Sequence, residues 1–477
     1  MKSRSFLSAS FRAFGLLAFA LVGLSPCGAQ VINIKDQLEL FADDYVIEEL
    51  KGGAQKHLCQ PEPKEVVLTT DAPWEGNSSE FFTVFQDGEI YRMYFRAGAF
   101  DFTANKPLRE DVTCMMESKD GITWVRPNVG IFDFEGTKEN NIVWMGDSAI
   151  HNFTPFKDGN PAAPPEARYK AIAEKRAPRG YESADGVHWR RAGDKPLVTD
   201  GTFDSQNLAF WDSYRNEYRM YWRTNPFYPG GFQSRSIATA TSPDFVNWGA
   251  PQPLRYPGKE EPKELWDMQL YTSGVQPYFR APHLFVGFPT RVLKRYRSEV
   301  LFMISRDGVN FFRWDEPAIP STAPQDRGGN RGNFMAWGML QLPGKPDEIS
   351  VYATEGGREV GPYRRLRRFA YRLDGFVRVG AGAEGGEVVT KALLFSGTEL
   401  TLNYKAHEGG EVRVEFQNET GGVIKGFSAQ DCDPLTGDST RAIVKWKGKS
   451  DLSGAPSQEA VRVRFVLKNA DLYSLKF

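Results

Sequence analysis

Ser118-Lys119-Asp120-Gly121-Ile122-Thr123-Trp124 decides the fold, because the chain repeats it. The pattern Ser-x-Asp-Gly-x-x-Trp returns as Ser183-Ala184-Asp185-Gly186-Val187-His188-Trp189. A looser copy is Ser242-Pro243-Asp244-Phe245-Val246-Asn247-Trp248, and a fourth is Ser305-Arg306-Asp307-Gly308-Val309-Asn310-Phe311. The spacings are 65, 59 and 63 residues. Asp-Gly favours a tight turn: Gly accepts φ > 0 and Asp bonds to nearby backbone. The aromatic residue that follows opens the next strand. A unit near 60 residues holds four strands and their loops, the content of a propeller blade. A step of 67 residues reaches Arg372-Leu373-Asp374-Gly375-Phe376, a degenerate fifth copy after the strand-like Arg368-Phe369-Ala370-Tyr371. Five copies predict five blades.

Strand patterns fill the gaps between copies. Phe81 to Phe85, the turn Asp87-Gly88 and Ile90 to Phe95 read as an apolar hairpin. Leu208 to Trp211 with Tyr218 to Trp222 repeat it in the third unit; Leu284 to Phe288 and Ile349 to Tyr352 serve the fourth and fifth. Helical periodicity is almost absent. The stretch Gly380 to Gly386 matches GxGxxG, but it neither follows a βαβ pattern nor opens a helix. It reads as a hinge between domains. Beyond it Val412, Val414 and Phe416 alternate with Arg413 and Glu415, and Val461, Val463 and Phe465 with Arg462 and Arg464. Period-2 alternation without helix predicts a β-sandwich over 387–477. The expected fold is all-β: a five-bladed propeller over 38–380, then the sandwich.

Composition agrees with an ordinary folded protein. The 477 residues exceed one usual core, and 41% are hydrophobic and 25% charged. The net charge of −1 removes the electrostatic case for nucleic acid or an anionic membrane. Aromatic content of 13% suits strand-rich cores or sugar-stacking clefts. Residues 1–29 read as an export signal: Lys2, Arg4 and Arg12, the apolar run Phe14 to Leu24, then small residues up to Ala29. Leu24-Ser25-Pro26-Cys27 resembles a lipobox, with Pro26 a poor fit to it. The expected location is therefore outside the cytoplasm, and no later segment is apolar enough to span a membrane. Cys59, Cys114 and Cys432 make no disulfide framework, and no two of the five histidines stand at HxxxH spacing, which argues against zinc. No cofactor is expected.

In a propeller the first strand of each blade starts near the central axis, so the openings of the units converge. They contain Glu75 and Glu80; His151 and Asn152; Asp204, Gln206 and Asn207; Glu264, Asp267 and Gln269; and Arg331 and Asn333. Cleavage of a glycosidic bond needs two carboxyl groups, one protonated and one ionised. Amides, His and Arg read sugar hydroxyls. Asp204, Glu75, Glu80 and Asp267 are the candidate acids, with Glu264 and Asp44 as outside candidates. His151, Asn152, Gln206, Asn207, Gln269, Arg291, Arg331 and Asn333 are the candidate substrate contacts.

The Asp-Gly-x-x-aromatic repeats, Trp74-Glu75-Gly76, Glu139-Asn140-Asn141-Ile142-Val143 and the run Arg364 to Phe376 resemble the five-bladed propeller glycoside hydrolases of families 32, 43, 62 and 68. The resemblance covers about residues 38–380 and implies hydrolysis of a plant or algal glycan by an acid from blade one, an Asp from blade two or three and a later Glu. By position Asp204 matches best, then Glu75 with Glu80 its rival, then Asp267. The invertase-type Asn-Asp-Pro-Asn-Gly, Arg-Asp-Pro and Glu-Cys segments are absent, so fructan specificity does not carry over. A non-catalytic carbohydrate-binding propeller and a surface adhesin are the alternatives. The repeat is also similar to the Asp-box of sialidases, for which Arg280, Arg291 and Arg331 would supply arginines, but those have six blades. In either reading Asp120, Asp185 and Asp307 are structural. The basic run Arg364-Arg365-Leu366-Arg367-Arg368 reads as a solvated strand.

Overall fold

The structure, a computed structural model, describes residues 31–259, 265–294, 297–323, 332–355, 363–455 and 459–477. The expected export signal with Cys27, and the candidates Glu264 and Arg331, lie outside them. Strands dominate; the described helical segments are short 3-10 turns at Ser148–Asn152, Pro165–Ala167 and Leu265–Asp267.

Five antiparallel sheets follow one another around an axis. Glu80–Asp87, Ile90–Ala97, Val112–Ser118 and Ile142–Trp144 make the first blade. Thr154–Lys157, Tyr169–Ala173, Arg179–Ser183 and Arg190–Arg191 make the second. Leu208–Asp212, Glu217–Thr224, Ser236–Ser242 and Gln252–Pro253 make the third. The fourth is Val275–Tyr278, Ala281–Gly287, Met303–Ser305 and Phe312–Arg313, extended at one end by Leu270–Thr272, Thr290–Val292 and Ser298–Val300. The fifth pairs Glu348–Glu355 with Arg365–Arg372, and bridges Met335↔Ala353 and Leu340↔Ser350 bring an inner segment alongside.

The fifth blade takes its outer strand, Glu62–Thr69, from the start of the chain, which closes the ring. Inner edges meet at the axis. Trp337 bridges Thr83 and its Nε1 donates to Val275 O at 2.9 Å. Gln206 Nε2 donates to Phe82 O and Thr83 Oγ1, each at 3.1 Å. Both faces of each inner sheet are covered by a neighbouring blade, so a strand such as Leu208–Asp212 is buried at four of its five positions. Apolar clusters joining successive blades form the core.

The repeated motif is the turn between the third and fourth strands of blades one to four; the degenerate fifth copy at 372–376 leads instead from the fifth blade into Val377–Ala381 of the C-terminal sheet. In the first, Asp120 Oδ1 accepts from the Ile122 and Thr123 amides at 2.8 and 2.7 Å, and Trp124 Nε1 donates to Gly121 O at 3.2 Å. Asp185, Asp244 and Asp307 repeat the pair of amide contacts. Gly121, Gly186 and Gly308 have φ of 71, 78 and 76°, and Phe245 takes φ 67° in the third copy. A tyrosine of the preceding blade fastens each glycine carbonyl. Tyr94 reaches Gly186 O at 2.9 Å, Tyr221 reaches Gly308 O at 2.9 Å and Tyr352 reaches Gly121 O at 2.6 Å.

The C-terminal part differs from the expected boundaries. Leu38–Leu40, Ile47–Gly52 and Gln55–Leu58, read from sequence as propeller, pair instead with C-terminal strands. They join Val377–Ala381, Gly386–Thr390, Thr401–Gln417, Asp438–Ile443 and Arg462–Lys476 in one connected eight-stranded sheet. Gly380 to Gly386 is not a hinge. It links Val377–Ala381 to Gly386–Thr390, two strands that pair with successive parts of Arg462–Lys476, with Gly385 at φ 79°. The Thr401–Gln417 and Arg462–Lys476 strands are long, and the register shift between Ala406 and Glu411 lets them wrap one apolar core that includes Phe41, Phe416, Trp446 and Phe465.

The basic run at 364–368 is not solvated. Arg364 and Arg368 are 3% and 1% exposed. Arg364 pairs with Glu80, Arg365 and Arg367 with Glu355, and Arg368 with Glu65. No disulfide forms among the described cysteines.

Candidate functional site

In an antiparallel blade one mouth collects the start of strand one, the end of strand two and the start of strand three. At that mouth lies a cavity of about 310 Å³. Glu80 enters it from the first blade, Asp204, Arg223 and Arg235 from the third, Tyr271, Arg297 and Ser298 from the fourth, and Phe334 and Arg364 from the fifth.

Two of the four candidate acids therefore share one cavity. Glu80 is clamped: Arg96 Nη2 contacts Oε2 at 3.2 Å and Arg364 Nη2 contacts Oε1 at 2.8 Å. The Asp204 side chain is 41% exposed, and Arg223 Nη2 donates to its Oδ1. Its backbone carbonyl lies 3.2 Å from His151 Nε2 and accepts from the Tyr271 hydroxyl at 3.4 Å. Blades two, three and four thus fix the position of Asp204 together.

Arg96 organises the rim. Besides Glu80 it contacts His151 Nδ1 at 3.3 Å and lies 3.7 Å from Asp111. An arginine donating to Nδ1 leaves Nε2 as the protonated nitrogen, which suits the Asp204 carbonyl. Burial first, then the Arg96 charge, lowers the His151 pKa to about 4, so the imidazole is neutral at ordinary pH. Burial raises the Asp111 carboxyl above its ordinary value; Arg96 opposes the shift and the Glu80 charge adds to it. Burial also raises the Tyr271 phenol. The Tyr271 ring lies 4.9 Å from the Arg223 guanidinium and 5.6 Å from that of Arg235, and meets Phe334 edge-on at 5.8 Å.

Two residues flanking the cavity adopt left-handed backbone without being glycine: Phe81 at φ 61°, next to Glu80, and Gln269 at φ 43°, two before Tyr271. Such conformations cost about 1–3 kcal/mol each and cluster at functional sites.

The other sequence candidates do different work. Glu75 is outside the cavity. Its side chain is fully buried and held by Arg126 at 3.0 and 2.8 Å, which makes it a structural ion pair rather than a catalytic acid. The Asp267 backbone lies in the turn Leu265–Asp267. Asp44 pairs with Lys56, away from the cavity. Asn152 donates to Ser205 O at 3.0 Å and Asn207 to Phe203 O at 3.1 Å, so both brace the Asp204 loop rather than face substrate. Gln206 ties two blades at the axis, Gln269 accepts from Arg235, and Asn333 donates to Pro320 O at 2.7 Å. Arg291 is engaged by Glu299 at 2.9 Å and Arg280 by Asp374 at 2.9 Å, so neither serves as a cavity arginine.

Arg96, Arg223, Arg235, Arg297, Arg364, Tyr271 and Phe334 were absent from the sequence candidates. A signal existed for two of them. Tyr91-Arg92-Met93-Tyr94-Phe95-Arg96 and Tyr218-Arg219-Met220-Tyr221-Trp222-Arg223 are closely matched hexapeptides in the second strands of blades one and three. Each copy ends on a cavity-side arginine.

Among the described residues no group of three His, Cys, Asp or Glu side chains fits a metal ion, and no helix is long and apolar enough to cross a membrane. No family model and no curated protein matches the chain. Solved structures that resemble it include a thermostable family-43 glycoside hydrolase, at 11% identity and TM-score 0.45 over 67% of this protein and 95% of that one. An N-acetylgalactosamine deacetylase from F. plautii, in complex with blood group B trisaccharide, shares 14% at TM-score 0.44, over 68% and 97%. A glycosyl hydrolase from Bacteroides ovatus shares 14% at TM-score 0.43, over 66% and 94%. At identities and TM-scores this low the likeness decides no activity; the fold rests on the chain's own strand order, and function is argued from the cavity.

Proposed function

We propose that the chain is an exported glycoside hydrolase of a plant or algal glycan, with Asp204 and Glu80 as its reactive carboxylates. The observation that carries this reading is their presence in one cavity at the axial mouth of the propeller. Glycosidic cleavage takes one carboxyl that donates a proton to the leaving oxygen and one that attacks or activates water. Glu80, oriented by Arg96 and Arg364, suits the fixed carboxylate. Asp204, the more exposed of the two, suits the proton-transfer role, and Asp111 is a third acid behind Arg96. Tyr271 and Phe334 offer ring faces and edges against which a sugar packs. The leader at residues 1–29 accounts for export.

The test is release of sugar from a panel of plant and algal polysaccharides and aryl-glycosides by the full chain. Release supports the reading. Its absence across the panel, with glycans still bound, would favour a second reading: a non-catalytic carbohydrate-binding propeller. One observation supports that alternative. Each cavity carboxylate is engaged by a guanidinium, so neither stands alone as a proton donor.

A further inference from the structure

Four guanidinium groups line the cavity, those of Arg223, Arg235, Arg297 and Arg364, against the two carboxylates of Glu80 and Asp204. This excess does not reflect a basic protein, since the whole chain carries a net charge of −1. Buried cations without counter-ions are costly, so a site that gathers them has a use for positive charge.

Arg223 shows the excess at atomic level. The residue is 5% exposed, and only Nη2 reaches Asp204. Nε and Nη1 are buried and have no hydrogen-bond partner among the described residues. Arg235 gives one Nη1 bond to Gln269. Burial, and then the neighbouring charge of Arg223, pushes its guanidinium below the ordinary value, and Tyr271 and Asp204 only partly offset the two. Guanidinium offers donors and no acceptor. A neutral sugar, whose hydroxyls both donate and accept, is met elsewhere by mixed amides and acids. A wall whose guanidinium groups outnumber its carboxylates four to two matches oxygen atoms that are all acceptors, the geometry of a carboxylate or sulfate.

We infer that the cavity recognises an acidic sugar, a residue bearing a carboxylate or a sulfate ester, with Arg223 and Arg235 receiving the oxyanion and Tyr271 the ring. The inference builds on the glycan reading above but does not require hydrolysis.

The experiment measures binding of the full chain to matched pairs by calorimetry at low ionic strength. One pair is an oligogalacturonate and its carboxyl-reduced counterpart; the other is a sulfated galactan and its desulfated form. The expected result is at least about tenfold tighter binding of one acidic member over its neutral partner, the size of one charge-assisted hydrogen bond. Which pair shows it identifies the oxyanion. Arg235→Gln should collapse that ratio. If this variant melts early, Arg235→Lys, which keeps the charge but loses the paired guanidinium donors, serves instead and should lower the ratio. Equal binding within both pairs, or no binding of any member, overturns the inference. Acidic preference without sugar release would leave the inference standing and remove the hydrolase; release that ignores the acidic group would do the reverse.

Discussion

Arg364 donates to Glu80 at 2.8 Å across the seam where the fifth blade meets the first, so the contact that clamps a cavity carboxylate also helps close the ring. Arg364 is 3% exposed and the Glu80 side chain 19%. The pair is therefore weakly screened and should couple. A double-mutant cycle with Glu80→Gln and Arg364→Gln, read by urea unfolding, is expected to give an interaction of about 0.5–3 kcal/mol. A value near zero would show that the two side chains act independently.

Glu75 separates structure from catalysis. Glu75→Gln removes charge from a buried pair with Arg126, and two charge-assisted contacts weaken. Stability should fall by about 1–3 kcal/mol, while kcat/KM on any substrate found stays within about threefold. Parallel melts and rate measurements check both halves; a large fall in kcat at unchanged stability would return Glu75 to the site.

The tyrosine fastenings between blades predict a repeated small effect. Tyr94→Phe, Tyr221→Phe and Tyr352→Phe each delete one hydroxyl that reaches the glycine carbonyl of another blade's turn. In blades one and two a tryptophan also donates to that carbonyl, Trp124 to Gly121 and Trp189 to Gly186. Tyr94→Phe and Tyr352→Phe should therefore cost about 0.5–1.5 kcal/mol. Tyr221→Phe should cost more, because Phe311 replaces tryptophan in the fourth copy and brings no ring N–H. Equal losses in all three would remove the role assigned to the tryptophans.

Stability should fall in acid in two steps. His151 titrates at about 4 in the folded chain against about 6.5 unfolded. The unfolded state binds more protons between those values, so this contribution is present above about 6.5 and lost as pH falls toward 4. The turn aspartates follow. The amide of Asn247 foremost holds Asp244 down at about 2. For Asp120, Asp185 and Asp307 burial pulls upward, but amide and side-chain donors win and the carboxyls are lowered. Their stabilisation is complete above the unfolded value near 4 and disappears as pH drops through the folded values. Urea midpoints against pH should decline first over 6.5 to 4, and His151→Gln should flatten that limb alone.

The repeat made the propeller legible because its physics is local: an aspartate, a glycine and an aromatic residue specify a turn wherever they stand. That Asp204 and Glu80 line one cavity was legible from the position at which each unit opens. The arginines were not. Along the sequence Arg223 and Arg364 look like the charged residues that solvated strands carry, and only antiparallel pairing brings the end of strand two and the start of strand three to the mouth where strand one begins. Glu75 misled for the reverse reason. It stands near a unit's opening, but its side chain turns to Arg126. The N-terminal strands misled because nothing local marks Ile47–Gly52 as a partner of Gly386–Thr390, far along the chain.

The most direct test of the hydrolase account compares kcat/KM of the wild type with that of Asp204→Asn on the best substrate from the release panel, with Glu75→Gln as a folded control. The account predicts a fall of about 10³ for Asp204→Asn, the usual scale for loss of a proton-transferring group, and near-normal rates for the control. Activity that survives Asp204→Asn would contradict it.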